Sequence, residues 1–379
     1  MEEIKTGKII KAIAGFYYVH TRTAGVYACR ARGIFRKDGR KPLVGDDAEI
    51  LVLNEEKKEG SLERLLPRRN VLIRPAVANI DQALIVFAVR EPDPNLNLLD
   101  RFLIYMGMQE IPVVIFFNKT DLDWDSAAER YRAVYEAAGY TVITGAVHAE
   151  ENAAGERCEA AELAACVTGA AAENADSRAE GSGEGVQTAP RGGDRRTAAA
   201  EELSRKTEAQ IRAVLSGKTT VLAGPSGVGK SSLTNLLHAE ARMEVGALSE
   251  KIRRGKQTTR HTELFSLPES GSPASDGKQS DGIKTAGATK VGTAGTYLLD
   301  TPGFTSLLLP GLPPGEVRCY FPEFLPEAER CRFSGCAHIS EPEELCGVKQ
   351  ALSAGRIDRQ RYADYVQIYG EQKQAAGRY

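Results

Sequence analysis

Gly224-Pro225-Ser226-Gly227-Val228-Gly229-Lys230-Ser231 carries glycine, lysine and serine at each position that a polyphosphate-wrapping loop requires. Its glycines let successive backbone N–H groups turn toward the phosphates, and the helix expected after it presents a positive N-terminus. Lys230 is placed to reach the β- and γ-phosphate oxygens and Ser231 to ligate Mg²⁺, with Ser232 completing the nucleotide-binding set. The loop by itself does not choose between ATP and GTP. Asn118-Lys119-Thr120-Asp121 makes that choice, because a carboxylate there can accept from both guanine N1–H and the 2-amino group, a pattern adenine does not offer. Asn118 then holds the purine edge and its loop, and the Lys119 stem covers the ring.

Two further segments belong to the same chemistry. Asp300-Thr301-Pro302-Gly303 is a D-x-x-G pattern, whose aspartate holds Mg²⁺ through water and whose glycine N–H contacts the γ-phosphate. Thr258 and Thr259 lie in a basic stretch, 251–260, and one of their hydroxyls is expected to complete the Mg²⁺ shell when GTP is bound. The plainer alternative for that stretch is an exposed basic loop. Near the C-terminus, Cys331, Cys336, His338 and Cys346 follow the spacing C-x4-C-x-H-x7-C, a donor set that Zn²⁺ prefers and that can close one tetrahedral site. With four protein ligands the metal is structural. Tyr362, Tyr365 and Tyr369 then recur at helical spacing among Arg356, Arg359 and Arg361, which reads first as a seam packed on the core and second as a base-stacking surface.

For the nucleotide motifs to converge, each must end a strand of one sheet. The sequence supplies the pattern: strands at 80–89, 113–117, 141–144, 219–223 and 297–299, with helical segments at 97–108, 126–138 and 202–215. Such alternation is that of a parallel sheet flanked by helices. Residues 1–70 differ in texture, with short alternating strands at 7–13, 16–20, 25–31 and 47–53 and regular turn signals, as in a small β-barrel of the oligonucleotide-binding type. The division expected is therefore a barrel at 1–70, a GTPase domain at 71–310 and a zinc-binding helical domain at 311–379. Two stretches within the middle domain, 149–200 and 269–294, have almost no large apolar residues and read as disordered inserts.

The order of the motifs is unusual, because N-K-x-D precedes the phosphate loop where a Ras-like enzyme has it last. Circular permutation preserves the three-dimensional site while placing D-x-x-G next to the C-terminal domain. Motif order, residues 118–121, 224–231, 255–259 and 300–303, and the C-x4-C-x-H cluster together resemble the ribosome small-subunit-dependent GTPase A family. These are circularly permuted GTPases with an N-terminal oligonucleotide-binding barrel and a C-terminal zinc domain. The resemblance implies a late-acting assembly factor that binds the small ribosomal subunit and its rRNA, turns over GTP to GDP, and is stimulated by that subunit. This chain departs from the family in having Gln257 before the threonine pair where histidine is usual, in the longer spacing from His338 to Cys346, and in a loose match at Thr144-Gly145-Ala146 to the usual Ser-Ala. Phe304 stands where Ras-like enzymes carry a water-orienting glutamine, so intrinsic hydrolysis is expected to be slow.

Composition is compatible with these expectations. With 379 residues, 42% hydrophobic and 26% charged, the chain has material for several cores and is neither collagen-like nor wholly disordered. The longest apolar runs, 83–89 and 111–117, fall far short of the roughly 20 residues a membrane helix needs. No membrane contact is expected, and a cytoplasmic monomer is. The formal charge of -2 hides an asymmetry: residues 1–70 carry fifteen Lys/Arg against ten Asp/Glu, whereas 145–200 carry five against ten. A near-neutral average is thus no argument against an RNA partner.

Overall fold

The computed structural model describes residues 3–22, 24–32, 35, 41–72, 75–147, 192–244, 262–267, 295–300 and 307–377. The expected sites Thr258, Thr259 and Gly303, and most of the two expected inserts, lie outside the described residues.

The N-terminal strands are β1 (Ile4–Ile13), β2 (Phe16–Thr21), β3 (Gly25–Ala31), β4 (Asp47–Asn54) and β5 (Glu59–Leu65). They close into a barrel in the order β1-β2-β3-β5-β4, with β3 and β5 parallel and the other pairs antiparallel. Closure removes free edges, and alternating residues point inward to a core of Ile9, Val19, Tyr27, Ala48, Ile50 and Leu62, all fully buried. This is the topology of an oligonucleotide-binding barrel. A two-stranded ribbon, β6 (Val71–Leu72) with β7 (Val77–Ala78), leads out of it.

The central layer comprises β8 (Gln82–Ala88), β9 (Val113–Asn118), β10 (Thr141–Thr144), β11 (Thr219–Ala223), β12 (Leu264–Leu267) and β13 (Thr296–Asp300). The strand order is β10-β9-β8-β11-β13-β12, parallel except for β12. β8 and β11 are buried at every residue, as expected for strands covered on both faces. Helices α1 (Leu96–Gly107), α2 (Ala127–Ala137), α3 (Gly192–Leu215) and α4 (Lys230–Glu244) belong to this layer. Phe87, Phe102, Phe117 and Tyr135 pack in one buried cluster, and Leu84, Phe116, Ile211, Leu222 and Leu233 in another.

Helix α3 corrects the expected boundary, since it begins at Gly192 rather than 202 and takes in the last nine residues of the stretch read as an insert. An apolar seam is not needed there. Ala198, Ala199 and Ala200 have high intrinsic helix propensity and extend a helix already anchored by Ile211 and Leu215.

The C-terminal unit holds α5 (Leu325–Ala328), α6 (Gly347–Ser353) and α7 (Arg359–Ala376), joined by short 3-10 turns. Asp358 caps α7, accepting from the Gln360 and Arg361 N–H groups. Ile104 of α1 lies in the same buried cluster as Leu309, Phe321, Phe324 and Tyr365, so this unit and the central layer share a core.

Candidate functional site

The parallel strands bring three motifs to one edge of the sheet. Asn118 ends β9, Gly224 follows β11, and Asp300, which ends β13, is in register with Leu222 of β11. Ligands of open α/β sheets bind at these carboxyl ends.

Gly224, Gly227 and Gly229 have φ of +147°, +81° and +95°. At Gly229 the need for glycine is also steric, because a Cβ would lie 2.3 Å from Asn118 Nδ2. That approach lets the Asn118 amide donate to the Val228 carbonyl at 2.9 Å, joining the N-K-x-D motif directly to the phosphate loop. Asn118 Oδ1 meanwhile accepts from the Val147 N–H at 3.0 Å. One buried side chain thus ties the loops after β9, β10 and β11.

Lys230 begins α4, and its Nζ lies 2.9 Å from the Gly224 carbonyl and 2.5 Å from that of Pro225. Burial lowers its pKa, and the charge of Asp300 opposes the shift. An ammonium so placed is partly desolvated and held at the loop by two carbonyl oxygens. Ser231 is exposed and Ser232 half-buried on the following turn.

On the base side, Lys119 has φ +63° and donates from Nζ to the Glu91 carbonyl. The Gly227 Cβ position lies 3.7 Å from Pro92 Cδ, so the segment after β8 adjoins both the phosphate loop and the base motif. This contribution has no side-chain signature in the sequence. The loop after β10 is similarly concealed: Gly145 leaves room for Thr207, whose Oγ1 would lie 2.2 Å from a Cβ there and accepts from the Ala146 N–H at 3.2 Å. Ser204 donates to the Val147 carbonyl at 2.5 Å. Helix α3 therefore fixes the loop that was only a loose sequence match.

The four C-terminal donors converge within 4.8 Å of one another. Cys336 and Cys346 Sγ are 3.8 Å apart, Cys331 and Cys346 Sγ 4.0 Å, and His338 Nδ1 lies 3.4 Å and 3.6 Å from Cys346 and Cys331 Sγ. Tetrahedral Zn²⁺ with Zn–S near 2.3 Å and Zn–N near 2.0–2.1 Å demands S···S of about 3.8 Å and S···N of about 3.6 Å. The donors fit. Burial pushes the Cys336 thiol up to about 12 and raises Cys346, while it lowers His338. Thiols in such surroundings become thiolates only beside a cation. The supporting shell is also present: Tyr362 and Tyr365 donate to the His338 and Ala337 carbonyls at 2.5 Å and 2.6 Å, Arg318 donates to the Cys336 carbonyl at 2.6 Å, and Glu341 accepts from Ala337 and Ile339. The tyrosine seam accordingly packs on the core, with Tyr365 fully buried.

A parallel sheet whose N-K-x-D strand precedes its phosphate-loop strand in the chain, while both meet at one edge, defines a circularly permuted P-loop GTPase. The chain matches the RsgA GTPase family over residues 65–168 and 185–277 and the RsgA N-terminal domain family over residues 6–62. It belongs to the RsgA GTPase family, and is a GTP hydrolase. A relative from Agathobacter rectalis, named small ribosomal subunit biogenesis GTPase RsgA, is 41% identical over 97% of this chain and 98% of its own length. One of the same name from Alkaliphilus metalliredigens is 39% identical, covering 97% of each chain. Among solved structures, YloQ, described as a circularly permuted GTPase, matches with a TM-score of 0.63 at 29% identity over 98% of this chain and 96% of that one. YjeQ from Thermotoga maritima matches with a TM-score of 0.64 at 25% identity, covering 98% and 99%.

Proposed function

We propose that this GTPase acts in late maturation of the small ribosomal subunit, binding the subunit and its rRNA and hydrolysing GTP faster when bound. The observation that carries the nucleotide half of this reading is the Asn118–Val228 hydrogen bond, which makes a guanine-selecting motif and a phosphate loop parts of one site. The partner half is supported by the names of the relatives and by the barrel, where the exposed Arg30 stacks over the Phe16 ring at 4.8 Å.

In this reading Asp121 selects guanine, with Asn118, Lys119 and Thr120 shaping its loop. Residues 224–229, apart from Pro225, which has no N–H, present backbone donors to the phosphates, Lys230 neutralises developing charge, and Ser231 and Ser232 complete the phosphate site. Asp300, Gly303 and Thr258 or Thr259 sense the γ-phosphate and the Mg²⁺ that accompanies it. Mg²⁺ supplies charge neutralisation between the β- and γ-phosphates when bound. Cys331, Cys336, His338 and Cys346 hold a structural Zn²⁺. The division into a barrel at 1–70, a GTPase domain at 71–310 and a zinc domain at 311–379 follows from the same reading, as does a cytoplasmic monomer. With Phe304 and Gln257 at the hydrolytic positions, neither side chain can act as a base, so the subunit supplies or arranges what activates water.

The test is GTP turnover with and without purified small subunits, together with co-sedimentation in a non-hydrolysable GTP analogue. Stimulation and small-subunit binding are expected. Equal rates, or binding to large subunits alone, would overturn the reading. Strong competition by ATP would point instead to a P-loop ATPase or kinase.

A further inference from the structure

The barrel grips the two strands that carry the γ-phosphate-sensing side of the site. β12 is the edge strand of the central sheet and pairs antiparallel with β13, Leu264 opposite Leu299 and Leu267 opposite Thr296. β13 ends at Asp300, and β12 follows the basic segment 251–260 in the chain. Barrel strand β1 caps that edge through an antiparallel bridge between Lys11 and Glu263.

A local irregularity makes this possible. Between Ile9 and Lys11 the β1–β2 register shifts, Ile9 facing Val19 and Lys11 facing Tyr18, so that Ile10 is an extra residue. A bulge re-aims side chains. Ile9 stays in the barrel core, whereas Ile10 and Ala12 pack against the central-sheet core. Lys11 Nζ reaches Glu263 Oε2 at 2.7 Å, half-shielded from solvent.

A second contact lies beside the first. His20, opposite Lys8 in the β1–β2 pair, places Nδ1 2.9 Å from the Tyr297 hydroxyl, with the rings edge to face at 5.7 Å. Lys8 is buried, ion-paired to Asp47 at 2.9 Å, and its Nζ lies 5.7 Å from the centre of the Tyr297 ring. Tyr297 is itself buried, three residues before Asp300 on the same strand. The nucleotide chemistry assigned above does not use the side chains of Lys11, Glu263, His20 or Tyr297.

We infer that Lys11–Glu263 and His20–Tyr297 are positioning contacts through which the barrel sets β12 and β13, and with them the enzyme's relative affinity for GTP and GDP. GDP has no γ-phosphate to be sensed, so the contacts act on triphosphate binding selectively. Coupling is reciprocal: an RNA ligand that binds the barrel better in one arrangement of these strands is itself bound better when the matching nucleotide is present. The nucleotide selectivity rests on the γ-phosphate-sensing roles proposed above, and that last consequence rests also on the proposed RNA partner.

The experiment uses the full-length protein without ribosomes. Dissociation constants for GDP and a non-hydrolysable GTP analogue are measured for the wild type, Lys11→Ala, Tyr297→Phe and the charge swap K11E/E263K. Loss of one partly shielded polar contact is expected to change the GTP/GDP affinity ratio by about two- to fivefold, with GDP affinity unchanged and the swap restoring much of the ratio. A wild-type ratio in both single variants, with cooperative thermal melting showing them folded, would overturn the inference; so would equal losses for GDP and the analogue. Failure of the wild type to bind small subunits would sink the proposed function and leave this ratio readable.

Discussion

The two ends of the chain join the central sheet by different chemistry. Toward the C-terminus, Ile104 of α1 is part of the C-terminal unit's own core, and Arg361 of α7 is only 2% exposed. Its guanidinium pairs with both Glu323 oxygens at 2.8 Å and 2.9 Å and with Asp100 of α1 at 2.5 Å, while lying over the Phe321 and Tyr135 rings. Toward the N-terminus the barrel keeps a separate core, sends only Ile10, Ala12 and Val44 of its described residues into the central-sheet cluster, and adds a partly shielded ion pair and a ring contact. The first joint makes α1 and α7 one body. The second leaves a module that can respond to a ligand without dismantling a core, which suits an element that reports to the nucleotide site.

The largest effect that would sharpen this contrast is metal removal. Structural Zn²⁺ binding is worth about 10–16 kcal/mol in zinc-finger peptides, as much as a whole domain's usual stability of about 5–15 kcal/mol. Chelation, or Cys336→Ser, should therefore unfold residues 307–377 and loosen α1 through Ile104, while the barrel strands keep their amide protection. Hydrogen exchange reads both regions at once. Equal loss in the barrel and the C-terminal unit would contradict the separation of cores, and no loss anywhere would show that the four donors hold no structural metal.

Next is Arg361→Ala. It leaves the fully buried Asp100 and the largely shielded Glu323 carboxylate without their cation, which costs about 3–5 kcal/mol for a buried pair of this kind. Chemical denaturation should show the loss, and a change under about 1 kcal/mol would mean the joint is hydrophobic rather than ionic.

Much of this arrangement is legible in residue types, and the exceptions have physical reasons. The phosphate loop, N-K-x-D and the cysteine cluster need particular side chains at fixed spacing, so they stand out in a linear chain. β5 does not, because Glu59–Leu65 is largely polar and only its pairing with β3 and β4 turns Leu62 inward. β12 is four residues long and is defined by its partner β13. The clamp on the 145–147 loop depends on Thr207, sixty-one residues from Ala146 and recognisable only after α3 is in place. The tyrosines of α7 announce a helix, but their spacing says nothing of the His338 and Ala337 carbonyls they hold. Thr258, Thr259 and Gly303 lie outside the described residues and rest on the motif alone.

The ionic joint also has a pH signature of moderate size. Asp100 is fully buried, and desolvation pushes its carboxyl up to about 7 against the opposing charge of Arg361, whose bidentate partner is Glu323. Asp364, also buried, adds to the upward shift. An acid that holds its proton more tightly folded than unfolded stabilises the fold at low pH and loses that contribution as pH rises from about 4 to about 7. Asp100→Asn keeps an oxygen for the Tyr135 hydroxyl, which donates to Asp100 at 3.0 Å. Melting temperatures of this variant should therefore vary less over that window than those of the wild type. A wild-type slope in the variant would place the titration elsewhere.

The smallest expected stability effect is at the barrel. The Lys11 and Glu263 side chains are 13% and 34% exposed, so solvent screens their attraction and Lys11→Ala should cost no more than about 1 kcal/mol. Tyr297→Phe removes one hydroxyl contact and belongs in the same range, about 1 kcal/mol. Urea unfolding would rank both far below Arg361→Ala. The contrast between the joints predicts that the variant with the larger stability loss is not the one with the larger effect on nucleotide preference, because Arg361 holds α1 and α7 together while Lys11 and Tyr297 bear on the strands beside Asp300. If Arg361→Ala shifted the GTP/GDP ratio as strongly as Lys11→Ala at a temperature where both remain folded, the barrel would lose its special standing. The sensing strands would then answer to the whole molecule rather than to one joint.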